Sequence, residues 1–237
     1  GRYFAYVISR SGSDWEEIYV KDVATGKLLD DHIVWAKFTN ATWRGDGFYY
    51  SAYDAPEKGL ETSAKNEVQK VYYHRIGTPQ SDDVLFYQTP AQPLRFYGVG
   101  LNDEETLMFL TESGMDQGYN LYVRDLRVAD SQFIQMTADA SKTYSPVEMI
   151  GDSIYILTNQ GAPRYRLMVA DVRKPGMTDW HEVVGEQDGV LQDVLFLPAD
   201  RMILTYSKDN CTEAWLYSVK GERLSRIELP TFGSASF

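Results

Sequence analysis

The chain has 237 residues, 43% of them hydrophobic, enough for one ordinary domain or two small ones with a real core, which excludes a disordered segment. Its 23 basic against 34 acidic side chains leave a net charge of −11 with no basic cluster, which argues against a nucleic-acid or anionic-membrane surface. The single cysteine, Cys211, excludes an internal disulfide, and every apolar run is far shorter than the roughly 18 residues of a bilayer span.

In chain order, Gly1-Arg2-Tyr3-Phe4-Ala5-Tyr6 opens directly into a strand predicted over residues 3–9, without a Met start or a signal-peptide layout. Strands with period-two alternation follow at 48–52, 107–111, 154–158 and 202–207. Turn residues sit just ahead of each: Arg44-Gly45-Asp46-Gly47, Leu101-Asn102-Asp103, Ile150-Gly151-Asp152 and Pro198-Ala199-Asp200. The chain ends in mid-pattern at Gly233-Ser234-Ala235-Ser236-Phe237, so a piece of a longer protein is expected.

A second series of strands begins at Ile18, Val71, Leu121, Leu167 and Leu216, spaced 53, 50, 46 and 49 residues apart. A period near 50 built from short antiparallel strands is the pattern of propeller blades, and 237 residues hold close to five. The expected fold is therefore all-β, a single β-propeller domain over residues 1–237 with about five four-stranded blades. A β-sandwich with regularly spaced turns is the alternative. The second repeat carries a polar, turn-rich insertion at residues 55–66, expected as an exposed mobile loop between its second and third strands.

Chemistry-bearing motifs are sparse. No G-x-S-x-G occurs, so the strained turn that presents a nucleophilic Ser is missing. His32, His74 and His181 read as partly exposed structural histidines, and with Cys211 they are too scattered for a metal site. Thr25-Gly26-Lys27 lacks the upstream glycine of a phosphate loop and reads as a hairpin. Asp30-Asp31, Asp82-Asp83 and Asp103-Glu104-Glu105 read as solvated turns rather than glycosidase acids. Two sequons, at Asn40 and Asn210, would matter only in a secreted eukaryotic protein. The residues by themselves point to a non-catalytic propeller with no cofactor, metal, nucleic acid or membrane.

Ser11-Gly12-Ser13-Asp14-Trp15, Thr25-Gly26-Lys27, Trp35-Ala36-Lys37-Phe38, Trp43 and Asp46-Gly47-Phe48-Tyr49-Tyr50-Ser51 together resemble the propeller domain of prolyl oligopeptidases. Glu61-Thr62-Ser63 and the run from Gln69-Lys70-Val71-Tyr72-Tyr73-His74-Arg75 through Gly77-Thr78-Pro79-Gln80-Ser81-Asp82-Asp83 extend the likeness. The resemblance implies roughly five of the family's seven blades without the α/β-hydrolase domain, and hence no catalytic residue in this chain. It also implies a parent serine endopeptidase that cleaves short peptides after proline, with the propeller covering the active-site cavity. By the same resemblance Phe38 lines the proline-side pocket, and Phe96 and Met115 fall at two further apolar wall positions. Alternation alone would place Phe38 in a strand core. Asp14 matches an acidic residue near the domain interface, yet its family partner position falls at Glu112 or Ser113, neither basic, so Asp14 reads equally as a turn residue. The expected partners are short proline-containing peptides and the hydrolase domain of the same parent chain, with self-association through open blade edges. The competing readings are a stand-alone five-bladed propeller binding a peptide or carbohydrate, and a scaffold without activity. Cytoplasmic and periplasmic locations both stay open.

Overall fold

Alternating apolar and polar side chains, interrupted by Gly, Asp and Asn, yield nineteen β-strands and no α-helix among the described residues, with single 3-10 turns at Gln80–Asp82 and Met177–Asp179. This computed structural model describes residues 1–10, 12–61, 63, 65–115, 118–138 and 140–237. Ser11, Thr62 and Ala64, which belong to the sequence motifs and the insertion above, lie outside the described residues. The chain divides into two compact units, Gly1–Met115 and Asp116–Phe237.

In the first unit β1 (Tyr3–Ser9), β2 (Glu16–Asp22) and β3 (Leu28–Ala36) form an antiparallel meander. A single bridge, Ala36 to Ala52, joins it to a second meander of β4 (Thr42–Arg44), β5 (Gly47–Ala52), β6 (Lys70–Arg75) and β7 (Val84–Gln88). The first repeat thus has three strands where four were expected. A hairpin of β8 (Phe96–Leu101) and β9 (Leu107–Ser113) completes the unit. Ile18, Val20 and Ile33 on one meander, fully buried, pack with Phe48 and Tyr50 on the other. Complete burial of each such side chain stabilises the fold by about 1.5–3 kcal/mol.

The second unit holds β10 (Tyr119–Asp125) paired with the short β11 (Ile134–Gln135), then two meanders of four strands each. One comprises β12 (Tyr144–Ile150), β13 (Ser153–Thr158), β14 (Arg166–Asp171) and β15 (His181–Val184). The other comprises β16 (Val190–Leu197), β17 (Arg201–Lys208), β18 (Cys211–Ser218) and β19 (Arg223–Ile227). Leu157, Leu167 and Val184 of the former pack on Leu191, Val194, Met202 and Leu204 of the latter. In these meanders each strand pairs with its neighbour in sequence, without the crossed connections of a Greek-key sandwich.

The acidic residue ending the repeated strand has a local function. Asp125 accepts from the Arg127 guanidinium at 2.8 and 2.9 Å and from its backbone N–H at 2.9 Å, and Asp171 holds Arg173 in the same fork. Asp22 instead accepts from the backbone N–H and hydroxyl of Thr25. Each carboxylate fastens the turn that leads to the outer strand.

Candidate functional site

The residues that the resemblance singles out gather at one end of the first unit's strands. β3 contains a bulge between the pairs Glu16–Ala36 and Ile18–Ile33, and Trp35 there takes a left-handed φ of 59°. The strand ends at Ala36, so Phe38 is not the strand-core residue that alternation suggests. Its own φ of 54° turns the ring outward, leaving it 56% exposed. Phe96, the first residue of β8, meets it with ring centroids 5.2 Å apart and planes at 60°.

Lys37 is buried with its ammonium 5.3 Å from the Trp15 ring centroid and 5.4 Å from that of Phe38. The exposed Asp14 carboxylate lies 3.3 Å from Lys37 Nζ. Asp14 therefore finds a basic partner one residue before Phe38, rather than at Glu112 or Ser113. Glu112 is itself buried, 3.8 Å from Arg95. The structure thus joins Asp14, Phe38 and Phe96 in one cluster through Lys37. Met115, two residues beyond the register partner of Phe96, is 87% exposed and faces solvent.

Trp15 also moors the insertion, because its indole Nε1–H donates to the carbonyl oxygen of Glu61 at 2.6 Å. The same indole packs edge-on against Trp35 and Tyr53. Burial pushes the Tyr53 phenol above its ordinary range and that of Tyr97, the residue after Phe96, up to about 12. The wall is therefore aromatic and neutral apart from the Lys37–Asp14 pair. It presents two tilted aromatic faces to an apolar group, that of Phe38 open to solvent.

Two readings of polar residues are corrected. His74 is fully buried, with Asp31 on Nε2 at 3.0 Å and Asp83 on Nδ1 at 2.7 Å, whereas a partly exposed histidine was expected. Asp31 and Asp83 are accordingly not solvated turn residues. Asp31 also accepts from the Gly77 N–H at 2.6 Å, and Asp83 from the Tyr50 hydroxyl at 2.7 Å. Burial would lower the His74 pKa, but the hydrogen bonds to Asp83 and Asp31 outweigh it and the net displacement is upward. This ion cluster locks β3, β6 and the approach to β7 together. His32, stacked on Tyr19 and bonded to Glu17 at 2.7 Å, and the exposed His181 do match the sequence reading. Asp103, Glu104 and Glu105 likewise form an exposed turn.

A cavity of about 750 Å3 in the second unit escaped the sequence reading. It is lined by Arg164, Asp188, Tyr206, Trp215 and Arg223, among others. Arg223 lies over the Trp215 ring and donates to Tyr217 and Gln187, and Arg164 stands 3.9 Å from Asp188. Its lining residues come from five separate stretches of chain, so no local motif announces it.

The chain as a whole is similar to known proteins. The family model described as "Prolyl oligopeptidase, N-terminal beta-propeller domain" matches residues 1–237. A prolyl endopeptidase of Elizabethkingia meningoseptica is 32% identical over 237 residues, all of this chain and 33% of the relative. Prolyl oligopeptidase A of Amanita bisporigera is 28% identical, over 99% of this chain and 34% of the relative. Among solved structures, prolyl oligopeptidase B of Galerina marginata, bound to a 35mer hydrolysis and macrocyclization substrate, superposes with a TM-score of 0.88. That match has 26% identity and covers 100% of this chain and 35% of the other. The chain thus spans about a third of the length of the relatives it matches.

Proposed function

The chain belongs to the prolyl oligopeptidase family as its N-terminal β-propeller domain, and from this premise we propose that it governs which peptides reach the hydrolase domain of a longer serine endopeptidase that cleaves after proline. The carrying observation is the exposed Phe38 ring set against Phe96 at 5.2 Å, beside the neutralised Lys37. Two tilted aromatic faces offer a pyrrolidine ring dispersion contact that an unbranched side chain fills less well. The partners in this reading are short proline-containing peptides and the hydrolase domain of the same parent protein. A rigid β-sheet cap filters sterically, admitting thin peptides and rejecting folded chains, while closure keeps water from the reacting bond.

The test is Phe38→Ala in the full-length protein, assayed with a proline-containing peptide and its alanine analogue. Aromatic packing on this scale corresponds to about 0.5–1.5 kcal/mol, so kcat/KM for the proline peptide is expected to fall about 2- to 12-fold more than for the analogue. Equal losses for the two peptides, or none, would remove Phe38 from the substrate wall.

A further inference from the structure

We propose that Gln69 is the positioning residue of the aromatic wall, its side-chain amide fixing the separation and tilt of Phe38 and Phe96; the functional meaning of that geometry rests on the reading above. Gln69 precedes β6 and is fully buried. Its Nε2 donates to the carbonyl oxygen of Lys37 at 2.7 Å, and its Oε1 accepts the backbone N–H of Tyr97 at 2.6 Å. Those two groups belong to the residues adjoining Phe38 and Phe96 in sequence.

No strand ladder among the described residues does this job. β3 reaches β5 only through the Ala36–Ala52 bridge, and Phe96 pairs with Ser113 in β9. The two ring-bearing segments are joined instead by side chains. Besides Gln69, the Ser51 hydroxyl donates to Tyr97 O at 2.7 Å, while a backbone bond from the Val68 N–H to Pro93 O at 2.7 Å ties the segment of Gln69 to the stretch before Phe96. On the other flank of Phe38, the Ser51 N–H donates to the Thr39 hydroxyl at 2.8 Å.

The amide is the functional group that this place requires. One partner is an acceptor and the other a donor, and both are backbone groups that would be left unpaired without it. A carboxylate at the same site would face the Lys37 carbonyl with a second acceptor, and a thioether of equal length would satisfy neither partner. Phe38 makes the demand stricter, since a left-handed non-glycine residue relaxes unless its flanking peptide groups are held.

The test uses this chain with 4-fluorophenylalanine in place of Phe38, read by fluorine NMR. The parent spectrum is expected to show one line displaced by the Phe96 ring current, and Phe96→Leu calibrates the loss of that displacement. Gln69→Met is expected to move the line at least halfway to the Phe96→Leu position, or to split it, while cooperative unfolding persists. Gln69→Asn, which keeps the amide but cannot span both partners, is read in the same way should Gln69→Met fail to fold. A line that stays in place in a folded variant overturns the assignment, as does loss of folding in both variants, which would make Gln69 a general core residue. In the full-length protein, Gln69→Met is expected to raise KM for the proline peptide with kcat nearly unchanged. A displaced line in Gln69→Met together with unaltered proline selectivity in Phe38→Ala keeps Gln69 as the positioning residue and removes only the substrate reading.

Discussion

The His74 imidazole lies between two buried carboxylates, Asp31 and Asp83, with Tyr50 donating to the second. Burial first, and then the hydrogen bond to Asp83, pushes the Tyr50 phenol far above its ordinary range, so that group stays a donor at any ordinary pH. At His74 burial acts downward, and the hydrogen bonds to Asp83 and Asp31 prevail over it. Because its folded pKa is raised above the ordinary 6.5, its stabilising contribution is complete below that value and is lost as pH climbs through the higher folded value. Urea midpoints measured across about pH 5 to 9 should therefore decline on the alkaline side, and His74→Gln should flatten that decline. Parallel profiles for parent and variant would show that folding leaves the His74 pKa unmoved. The exposed Arg10–Glu17 pair is different in kind: Arg10, by its hydrogen bond, holds Glu17 down at about 2, yet a partner so open to solvent contributes little to stability.

Among the elements, β5 is the strand whose tolerance is narrowest, because it is buried along its whole length. A Cβ on Gly47 would stand 2.0 Å from the His74 carbonyl oxygen and 2.8 Å from the Tyr73 ring. Gly47→Ala is thus expected to part β5 from β6 and to destabilise by about 3 kcal/mol or more, as overpacking against backbone does at its upper range. Thermal denaturation would check this, and a change under about 0.5 kcal/mol would mean that the sheet yields freely. The insertion between β5 and β6 is tied down by the Trp15 indole on Glu61 O. Trp15→Phe keeps a ring and removes the donor, so trypsin is expected to cut at Lys58 or Lys65 several-fold faster with little change in global stability. Unaltered cleavage rates would show that the mooring bond does not restrain the loop. At the outer edges, β19 carries Arg223 and Arg226, charges that discourage a further strand from pairing there.

For the whole molecule, catalysis is the property that the proposal withholds from this chain. The polypeptide of 237 residues, free of contaminating peptidase, is expected to leave a chromogenic prolyl peptide uncleaved. Turnover that copurifies with the chain through repeated chromatography, and disappears with it, would place a catalytic group within these residues. Each of the two units has its own apolar cluster, around Ile18 and Phe48 in one and around Leu167 and Leu204 in the other. Stability is therefore distributed over both halves of the chain rather than concentrated beside the aromatic wall.

Local chemistry was enough to reveal the strands, because alternation and turn preference act within a few residues. The segments expected at 154–158 and 202–207 lie within Ser153–Thr158 and Arg201–Lys208, and the insertion falls between β5 and β6 as its polar composition implied. What composition and spacing could not supply was which side of a strand end each residue takes. A bulge at Trp35 and a left-handed Phe38 reverse the simple alternation, turning an expected core ring outward. Neither could they supply the partners of the buried polar groups: Gln69 reaches Lys37 over 32 residues of chain and His74 reaches Asp31 over 43. Such bonds depend on the register of whole strands, so Asp31 looks like Asp30 in the sequence, and only folding buries one and leaves the other in water.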